Sequence, residues 1–557
     1  MHPHIPTMLA TAAACFLLLG STRASPILPS PFSISINNPN HKRSKSPSTH
    51  KPQSGPGSTH NNNQTYVPPY PNPGILAPLP SWFKWPPSDS LAVTPRYKPI
   101  YTTDELVDFI VDVPKGSVQT SVTLQFEGVG STPFEATVRP GTNVVSVPKS
   151  NIDISSRSVS AVLGVVKARA AFALYQEPTP GTSHTVRVDY LHGSLVPQQS
   201  GSSLTSGSQP LFPFGMYAGF SNFGEVDPVG AMQELKAMGI NHVNFVPPYG
   251  DGKQILACIK AAQDAGVSIQ YDMRHTYINT TKVTTEVNSF KAYAGLATWY
   301  TADEPDGQSV APEPKASIQA YRTIQSIDPH RPVMLVLNYK RDSAAQFAQA
   351  ADILMTDVYP VGLDPSSCNF SPEGGCCGCD GCFGDLGTDI RRRLQSYRSQ
   401  LAEIGKPRTP IWMVLQAFSD PNTCWSRAPT PDEYRLMAYL SLIHGAKGLM
   451  GWIYPQGLTK ELKASLPGLS AELVPLASRF ILGGEQVLEY TDTKRQIAAG
   501  VWKVDGGEGK LYIVVNSGDK AVTLTEAEVA SIFGKDSALV ESRRGMESLA
   551  VLILTTI

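Results

Sequence analysis

Short apolar runs alternate with longer amphipathic stretches between residues 212 and 485. The runs are rich in Val, Ile, Leu and Met, as expected for parallel strands buried on both faces. The stretches between them have the spacing of helices that bury one face. The eight predicted strands are residues 215–220, 242–246, 267–272, 297–304, 333–338, 353–357, 411–416 and 448–452. This alternation predicts a (β/α)8 TIM barrel. A doubly wound sheet is less suitable because no Gly-rich phosphate turn follows the first strand.

Shorter runs with a period of two lie on both sides of the predicted barrel. Residues 77–196 contain runs such as 121–126 and 184–190, separated by Gly and Pro, and they predict a β-sandwich. Residues 197–211 are rich in Ser and Gly and predict a linker. Residues 486–557 predict a small C-terminal β-domain. The expected fold is therefore a multi-domain chain with a TIM barrel between two all-β parts.

The N-terminal residues differ from the rest in composition. An apolar run followed by small residues predicts a signal peptide over residues 1–24, and this run is too short to anchor the chain in a bilayer. Residues 25–76 are rich in Pro, Ser and Asn and predict a disordered segment, since they contain too few apolar side chains for a core. We therefore expect a secreted, extracellular protein, with association to a cell wall left open.

The net charge limits the expected partners, and the cysteine content indicates the redox compartment. The formal net charge is −1 and 17% of residues are charged, so neither a nucleic acid nor a membrane surface is indicated. Of eight cysteines, five lie between Cys368 and Cys382, which predicts disulfides in an oxidising compartment, with zinc as the alternative. Cys258 is expected to be an unpaired buried thiol. Glycosylation sequons that agree with secretion occur at Asn63, Asn279 and Asn369.

Polar and aromatic residues gather at the predicted C-terminal ends of the barrel strands, where barrel enzymes place their working groups. In residues 297–305 an apolar run stops at the adjacent carboxylates Asp303 and Glu304. Neighbouring like charges raise one pKa, which helps an acid to keep the proton that a departing sugar oxygen needs. A further candidate catalytic carboxylate is Asp357. The residues expected to bind substrate are Asp272, Arg274, Asn338, Tyr359, Gln416 and Trp452.

These segments resemble parts of clan A-like (β/α)8 glycoside hydrolases. Residues 300–306 are similar to their acid/base segment, residues 352–360 to their sixth strand, and residues 429–452 to their seventh helix and eighth strand. The resemblance covers residues 212–484 and extends to secreted fungal proteins classed as glycoside hydrolases. It implies an O-glycosyl hydrolase that acts on a poly- or oligosaccharide without a metal or other cofactor, with Glu304 as general acid/base.

One position departs from that family pattern. The family places a nucleophilic Glu at the end of strand seven, where this chain has Gln416, and an amide cannot take that role. Asp357 could instead be the second carboxylate, as nucleophile or as base for water. Alternatively, the acetamide of an N-acetylhexosaminide attacks, oriented by Asp303, although Asp303 is equally a candidate structural partner of Arg274 or His275. The third explanation is a non-catalytic carbohydrate-binding or cell-wall surface protein.

A barrel esterase or deacetylase is a weaker alternative. Such an enzyme needs an activated serine or a metal centre. The sequence contains neither a Gly-x-Ser-x-Gly elbow nor a His-x-x-Glu-type cluster. The oligomeric state does not follow from the sequence.

Overall fold

The computed structural model describes residues 90–179, 184–199, 210–250, 252–306, 314–338, 343–364, 382–534 and 545–556. The predicted signal peptide and disordered segment lie outside the described residues, as does most of the predicted linker. The described residues form a closed barrel of parallel strands with additional antiparallel sheets.

The strands that precede the barrel are mainly antiparallel. They are β1 (Ala92–Pro95), β2 (Tyr97–Lys98), β3 (Ile100–Tyr101), β4 (Leu106–Val113), β5 (Ser121–Phe126), β6 (Phe134–Thr137), β7 (Gly141–Pro148), β8 (Ser158–Leu163), β9 (Val166–Ala171), β10 (Leu174–Tyr175), β11 (His184–Asp189) and β12 (Ser194–Gln199). Sheets β1–β4–β7 and β6–β5–β8–β9 share one apolar core, in which Phe109, Val122 and Val159 are fully buried. Alternating side chains point into that core, as in two packed sheets.

Eight parallel strands then form the barrel. They are β13 (Phe214–Gly219), β14 (His242–Val246), β15 (Ser268–Asp272), β16 (Leu296–Asp303), β17 (Val333–Leu337), β18 (Ile353–Val358), β19 (Ile411–Gln416) and β20 (Leu449–Tyr454). They are hydrogen-bonded in chain order, and β20 closes the barrel by pairing with β13. The predicted TIM barrel is therefore confirmed, with small shifts at the strand ends.

Helices cover the outside of the barrel. They are α1 (Pro228–Ala237), α2 (Lys253–Ala265), α3 (Thr280–Phe290), α4 (Pro314–Ile327), α5 (Ser343–Phe347), α6 (Leu386–Glu403), α7 (Pro431–Ile443) and α8 (Lys460–Leu476). A capping box starts α7, because Thr430 and Glu433 each accept a hydrogen bond from the other's backbone N–H. None of the described helices is both long and apolar enough to cross a bilayer.

The inside of the barrel is filled by its own apolar cluster. Met355, Trp412 and Met450 belong to it, together with Val186 and Val188 of β11. The backbone N–H of Val186 also donates to His330 O (2.9 Å), just before β17 begins. The sheet β12–β11–β2 therefore covers the end of the barrel at which the strands start.

An antiparallel sheet with one helix follows the barrel. Its elements are β21 (Gly484–Asp492), β22 (Ile497–Val504), β23 (Lys510–Asn516), β24 (Val522–Thr523), α9 (Glu526–Phe533), β25 (Gly545–Met546) and β26 (Ala550–Thr556). One face of β21–β22–β23–β26 joins the main core of the barrel helices through Trp502 and Ile513. On the other face, Tyr512 packs against Phe533 of α9.

The cysteine predictions have different outcomes. Cys258 in α2 is a buried free thiol, as expected, and its Sγ donates to Gly224 O at 3.2 Å. Cys382 is disulfide-bonded. The other cysteines of the cluster lie outside the described residues, so their pairing stays a prediction.

Candidate active site

The ends of β16, β17 and β18 bring Glu304, Asn338 and Asp357 together. Glu304 follows β16 directly, and its backbone N–H donates to Val336 O at 3.1 Å. Asn338 Nδ2 donates to Glu304 Oε2 at 2.8 Å. The φ of Glu304 is +47°, a left-handed conformation that is costly for a residue with a side chain and is common at functional sites. The half-buried Glu304 is thus held in a strained but well-defined position.

Asp357 of β18 is the hydrogen-bonded carboxyl partner of Glu304. Burial, and then the negative charge of Glu304, raise the pKa of Asp357 well above its usual range. Asp357 Oδ1 accepts no hydrogen bond from the described residues, which also disfavours its ionised form. Burial raises the pKa of Glu304 as well. Since two carboxyls in contact cannot both ionise easily, the pair keeps one proton at a pH where isolated carboxyls have lost theirs.

Asp303 is engaged by a different set of side chains. Arg274 Nη1 donates to Asp303 Oδ2 at 2.7 Å, and the Tyr300 hydroxyl donates to Oδ1 at 2.6 Å. Arg274 also donates through Nε to Asp272 Oδ2 at 2.9 Å and through its backbone N–H to Asp272 Oδ1 at 2.8 Å. Asp272 is inaccessible, whereas 27% of the Asp303 side chain is exposed. The structural bridge to Arg274 considered for Asp303 is therefore present, with part of the carboxylate still accessible.

Three aromatic rings surround the Arg274 guanidinium. Its central carbon lies 5.9 Å from the ring centroid of Tyr217, 5.7 Å from that of Tyr300 and 5.4 Å from that of Trp452. These contacts and the two carboxylates fix the orientation of Arg274. Tyr217 and Tyr300 are buried, but Trp452 is only partly so. Among these three, Trp452 is therefore the ring with a face for a ligand.

A second aromatic group contains Tyr359, which also lies near the carboxyl pair. Tyr359 and Phe418 have ring centroids 5.0 Å apart, and Phe418 and Trp425 have centroids 5.2 Å apart. Trp425 Nε1 donates to Tyr359 O at 2.9 Å. Burial and the charges of Asp357 and Glu304 raise the pKa of Tyr359 well above its usual value. Tyr359 is only 6% exposed, so it supports the site more than it offers surface to a substrate.

Gln416 has a structural role instead of the predicted contact with substrate. It is fully buried, and its Oε1 accepts from Val361 N at 2.7 Å. Its Nε2 donates to Val361 O at 2.9 Å and to Phe418 O at 3.2 Å. Only an amide provides both the acceptor and the donor that these backbone groups require. A carboxylate at this position would leave two carbonyl groups without their donor.

Two charged residues near the pair were missed by the sequence analysis as site residues. Asp306 Oδ1 accepts from Asn338 N at 3.2 Å, and its charge raises the pKa of Glu304. Arg393 of α6 is buried, and its Nη1 donates to Thr356 Oγ1 at 3.1 Å and to Asp357 O at 3.3 Å. Asp306 could have been found, since it ends the segment 300–306. Arg393 carries no such signal, because only the packing of α6 places it under β18.

The site offers one proton held by a carboxyl pair, a partly exposed carboxylate, an amide and a partly exposed indole. These groups can protonate a leaving oxygen, accept a hydrogen bond and stack on a sugar ring. Among the described residues, no group of three or more His, Cys, Asp or Glu side chains is arranged to hold a metal ion.

No protein-family model and no curated protein matches the chain. Similar solved structures include a β-glucuronidase from Ruminococcus gnavus in complex with D-glucuronic acid, with 12% identity, a TM-score of 0.36, and coverage of 68% of this chain and 67% of that chain. A β-galactosidase from the psychrophilic Marinomonas ef1 has 10% identity, a TM-score of 0.36, and coverage of 47% of this chain and 60% of that chain. Similarity this low says nothing about the activity of the present chain.

Proposed function

We propose that this protein is a secreted glycoside hydrolase that cleaves a glycosidic bond of a poly- or oligosaccharide, with Glu304 as proton donor. The observation that supports it most is the hydrogen-bonded carboxyl pair of Glu304 and Asp357 at the C-terminal ends of β16 and β18. A carboxylic acid that stays protonated at the C-terminal ends of the barrel strands is what protonation of a departing sugar oxygen requires.

Direct contact between the two carboxyl groups supports a positioning role for Asp357. Retaining glycosidases keep their two carboxyls about 5–5.5 Å apart, and inverting enzymes about 6.5–9.5 Å apart. A hydrogen-bonded pair is closer than either, so no water or sugar carbon fits between the two groups. In the proposal, Asp357 shares its proton with Glu304 and orients it, and does not attack the sugar itself.

The remaining carboxylate, Asp303, supports attack by the substrate's own acetamide. Arg274 and Tyr300 hold Asp303 in one orientation, and its accessible part can accept a hydrogen bond from an amide N–H. The acetamide oxygen then forms a bond to the anomeric carbon as the glycosidic oxygen leaves with the proton of Glu304. Water then bonds to the anomeric carbon, the bond from that carbon to the acetamide oxygen breaks, and the proton of the water returns to Glu304. The proposed substrates are therefore N-acetylhexosaminides.

Glu304→Gln should lower kcat by at least about a hundredfold, because the amide of Gln has no acidic proton to transfer to the leaving oxygen. The measurement is release of the aglycone from aryl glycosides, with circular dichroism to verify folding. Glu403→Gln, at the exposed end of α6 on the opposite side of the barrel, is the matched control and should retain full activity. Unchanged turnover by the Glu304 variant would refute the assignment.

Substrates can test the acetamide step independently of any mutation. We expect an aryl N-acetylhexosaminide to be cleaved and its 2-hydroxy counterpart to be resistant, because the latter lacks the attacking oxygen. Fluorination of the acetyl methyl group should lower kcat/KM progressively, since it makes that oxygen less nucleophilic. Equal rates across the fluorinated series would exclude participation by the substrate.

A sugar-binding protein without catalysis is the second candidate, favoured by the structural use of Gln416 at the strand-seven position. It predicts binding of oligosaccharides without product release, and a Glu304→Gln variant that binds as the parent does. The hydrolysis assay above separates the two functions.

A further inference from the structure

A cavity of about 530 Å³ lies at the end of the barrel opposite the carboxyl pair. Its wall includes Tyr97 of β2, Tyr175 of β10 and Tyr321 of α4. Its floor contains Asp352, which directly precedes β18. The carboxyl pair lies at the other ends of the barrel strands, so the two sites are separate. The volume is in the range of small-molecule sites, about 300–1,000 Å³.

The floor of this cavity is an ion pair with no net charge. Lys98 Nζ contacts both Asp352 Oδ1 and the Tyr321 hydroxyl, and the Tyr321 hydroxyl donates to Asp352 Oδ1 at 2.9 Å. Asp352 Oδ2 accepts from Val333 N at 3.0 Å, which fixes the carboxylate. A third N–H of Lys98 can serve a ligand, whereas the Asp352 side chain is only 3% exposed and already accepts three hydrogen bonds. The floor therefore offers a donor from Lys98 and an acceptor lone pair of the Tyr321 hydroxyl, without attracting a particular charge.

Among the described residues on the rim of the cavity, Lys406 is the one cation that is not paired with a carboxylate. Arg169 is paired with Glu127, and Arg408 is paired with Asp112 at 2.5 Å. Lys406 donates to Ala348 O at 2.7 Å. The arginine charges are thus already neutralised by the protein.

The walls carry aromatic rings that have accessible surface. Tyr97, Tyr175, Tyr190 and Tyr321 are all only partly buried. The side chains of Tyr97, Tyr175 and Tyr190 form no hydrogen bond with any described residue, so their hydroxyls are available. The tyrosine rings offer flat apolar faces on which a sugar ring can stack. Their hydroxyls and the neutral floor can form hydrogen bonds with the hydroxyl groups of that sugar.

We propose that this cavity binds a neutral sugar of one or two residues, away from the Glu304 site. Tyr175 and Tyr190 would stack on the ring, and Lys98 and the Tyr321 hydroxyl would bind adjacent hydroxyls. The inference does not depend on the proposed hydrolase activity, because it uses none of the same residues. A sugar held there could anchor a longer chain to the protein.

The test is calorimetric titration of the Glu304→Gln protein with cellobiose, chitobiose, maltose and laminaribiose. We expect at least one of them to bind, and Tyr175→Ala to weaken that binding about tenfold through loss of a stacking ring. Ala171→Trp should block the cavity mouth and abolish binding without removing a packed side chain, since Ala171 is exposed in the lining. Tyr490→Ala, a partly buried tyrosine of β21 outside the cavity, is the control and should bind as the parent does.

Three results would overturn the proposal: no binding by any of the four disaccharides, unchanged affinity in both cavity variants, or stronger binding of glucuronic acid than of neutral sugars. In an otherwise unaltered chain, Tyr175→Ala should leave hydrolysis of a small aryl glycoside unaffected. Failure of the hydrolase proposal would appear as absence of turnover, with binding at this cavity retained.

Discussion

Contacts from three neighbouring strands determine the state of Glu304. Its backbone is bonded to β17, its carboxylate accepts from Asn338, and its other partner is Asp357. The positive φ shows that this orientation is imposed on the residue, since an isolated Glu would avoid it. The chemistry at the residue scale therefore depends on the pair, and the proton belongs to both carboxyls.

The pH dependence of kcat/KM should report the ionisation of this carboxyl pair. Asp357→Asn removes the carboxyl whose pKa is raised by the charge of Glu304, and the amide that replaces it can still donate a hydrogen bond to Glu304. The variant therefore lacks the last proton of the pair, and its single carboxyl, Glu304, should ionise at lower pH because a neutral hydrogen-bond donor stabilises its charged form. The alkaline limb of kcat/KM should move to lower pH by about one unit or more. A pH–rate profile of the parent and variant measures this.

An alkaline limb that stays in place would exclude proton sharing between the two carboxyls. Glu403→Gln serves again as the control, because it lies far from the pair and should not alter the profile.

At the scale of elements, hydrogen bonds of Gln416 join the segments that follow β18 and β19. Both halves of its amide are used by the backbone of Val361 and Phe418. These bonds place Tyr359 and Phe418 edge to face beside the carboxyl pair. The glutamine at this position thus has a local physical reason, which is the hydrogen-bonding demand of two carbonyl groups.

Gln416→Glu should therefore destabilise the protein and not create a nucleophile. It removes the donor to two buried carbonyls and buries a carboxylate, at a cost of about 2–4 kcal/mol. Urea unfolding measures the change, with Gln263→Glu on the exposed side of α2 as the matched control. A variant of parental stability with higher activity would contradict the structural role of Gln416.

At the scale of the whole molecule, the barrel is covered at one end and along its sides. Val186, Val188 and Leu195 cover the end where the strands start, and the C-terminal sheet packs on the barrel helices through Trp502. A buried ionic contact joins the same parts: Glu489 of β21 accepts from Arg398 at 2.7 Å and lies 2.8 Å from His444 Nδ1. Although burial opposes it, Arg398 and His444 lower the pKa of Glu489 to about 2.

Glu489→Gln should weaken the attachment of the C-terminal sheet. Arg398 would lose its buried counter-charge, which costs about 3–5 kcal/mol when one partner of such a pair is removed. A lowered folded-state pKa stabilises the protein above the unfolded pKa of Glu, and this contribution disappears as the pH falls towards 2. The difference in Tm between parent and variant should therefore be largest at pH 7 and should decrease below about pH 4.3.

Calorimetry across that pH range tests this prediction. Glu485→Gln lies on the same strand with an exposed side chain, so it should leave Tm unchanged at every pH. A constant difference between parent and Glu489→Gln down to the lowest pH would show that packing, and not charge, is responsible.

The sequence by itself determined the barrel, because buried parallel strands and amphipathic helices have different periods that are visible in the residue pattern. It also indicated Glu304, since a strand that stops at a carboxylate delivers it to the C-terminal end of the barrel. Only the tertiary structure paired Glu304 with Asp357, tied Asp303 to Arg274, engaged Gln416 with backbone groups and placed Arg393 beneath the pair. The physical reason is that these relations join residues on different strands and helices. The distances between these residues follow from closure of the barrel, and no local sequence pattern encodes them.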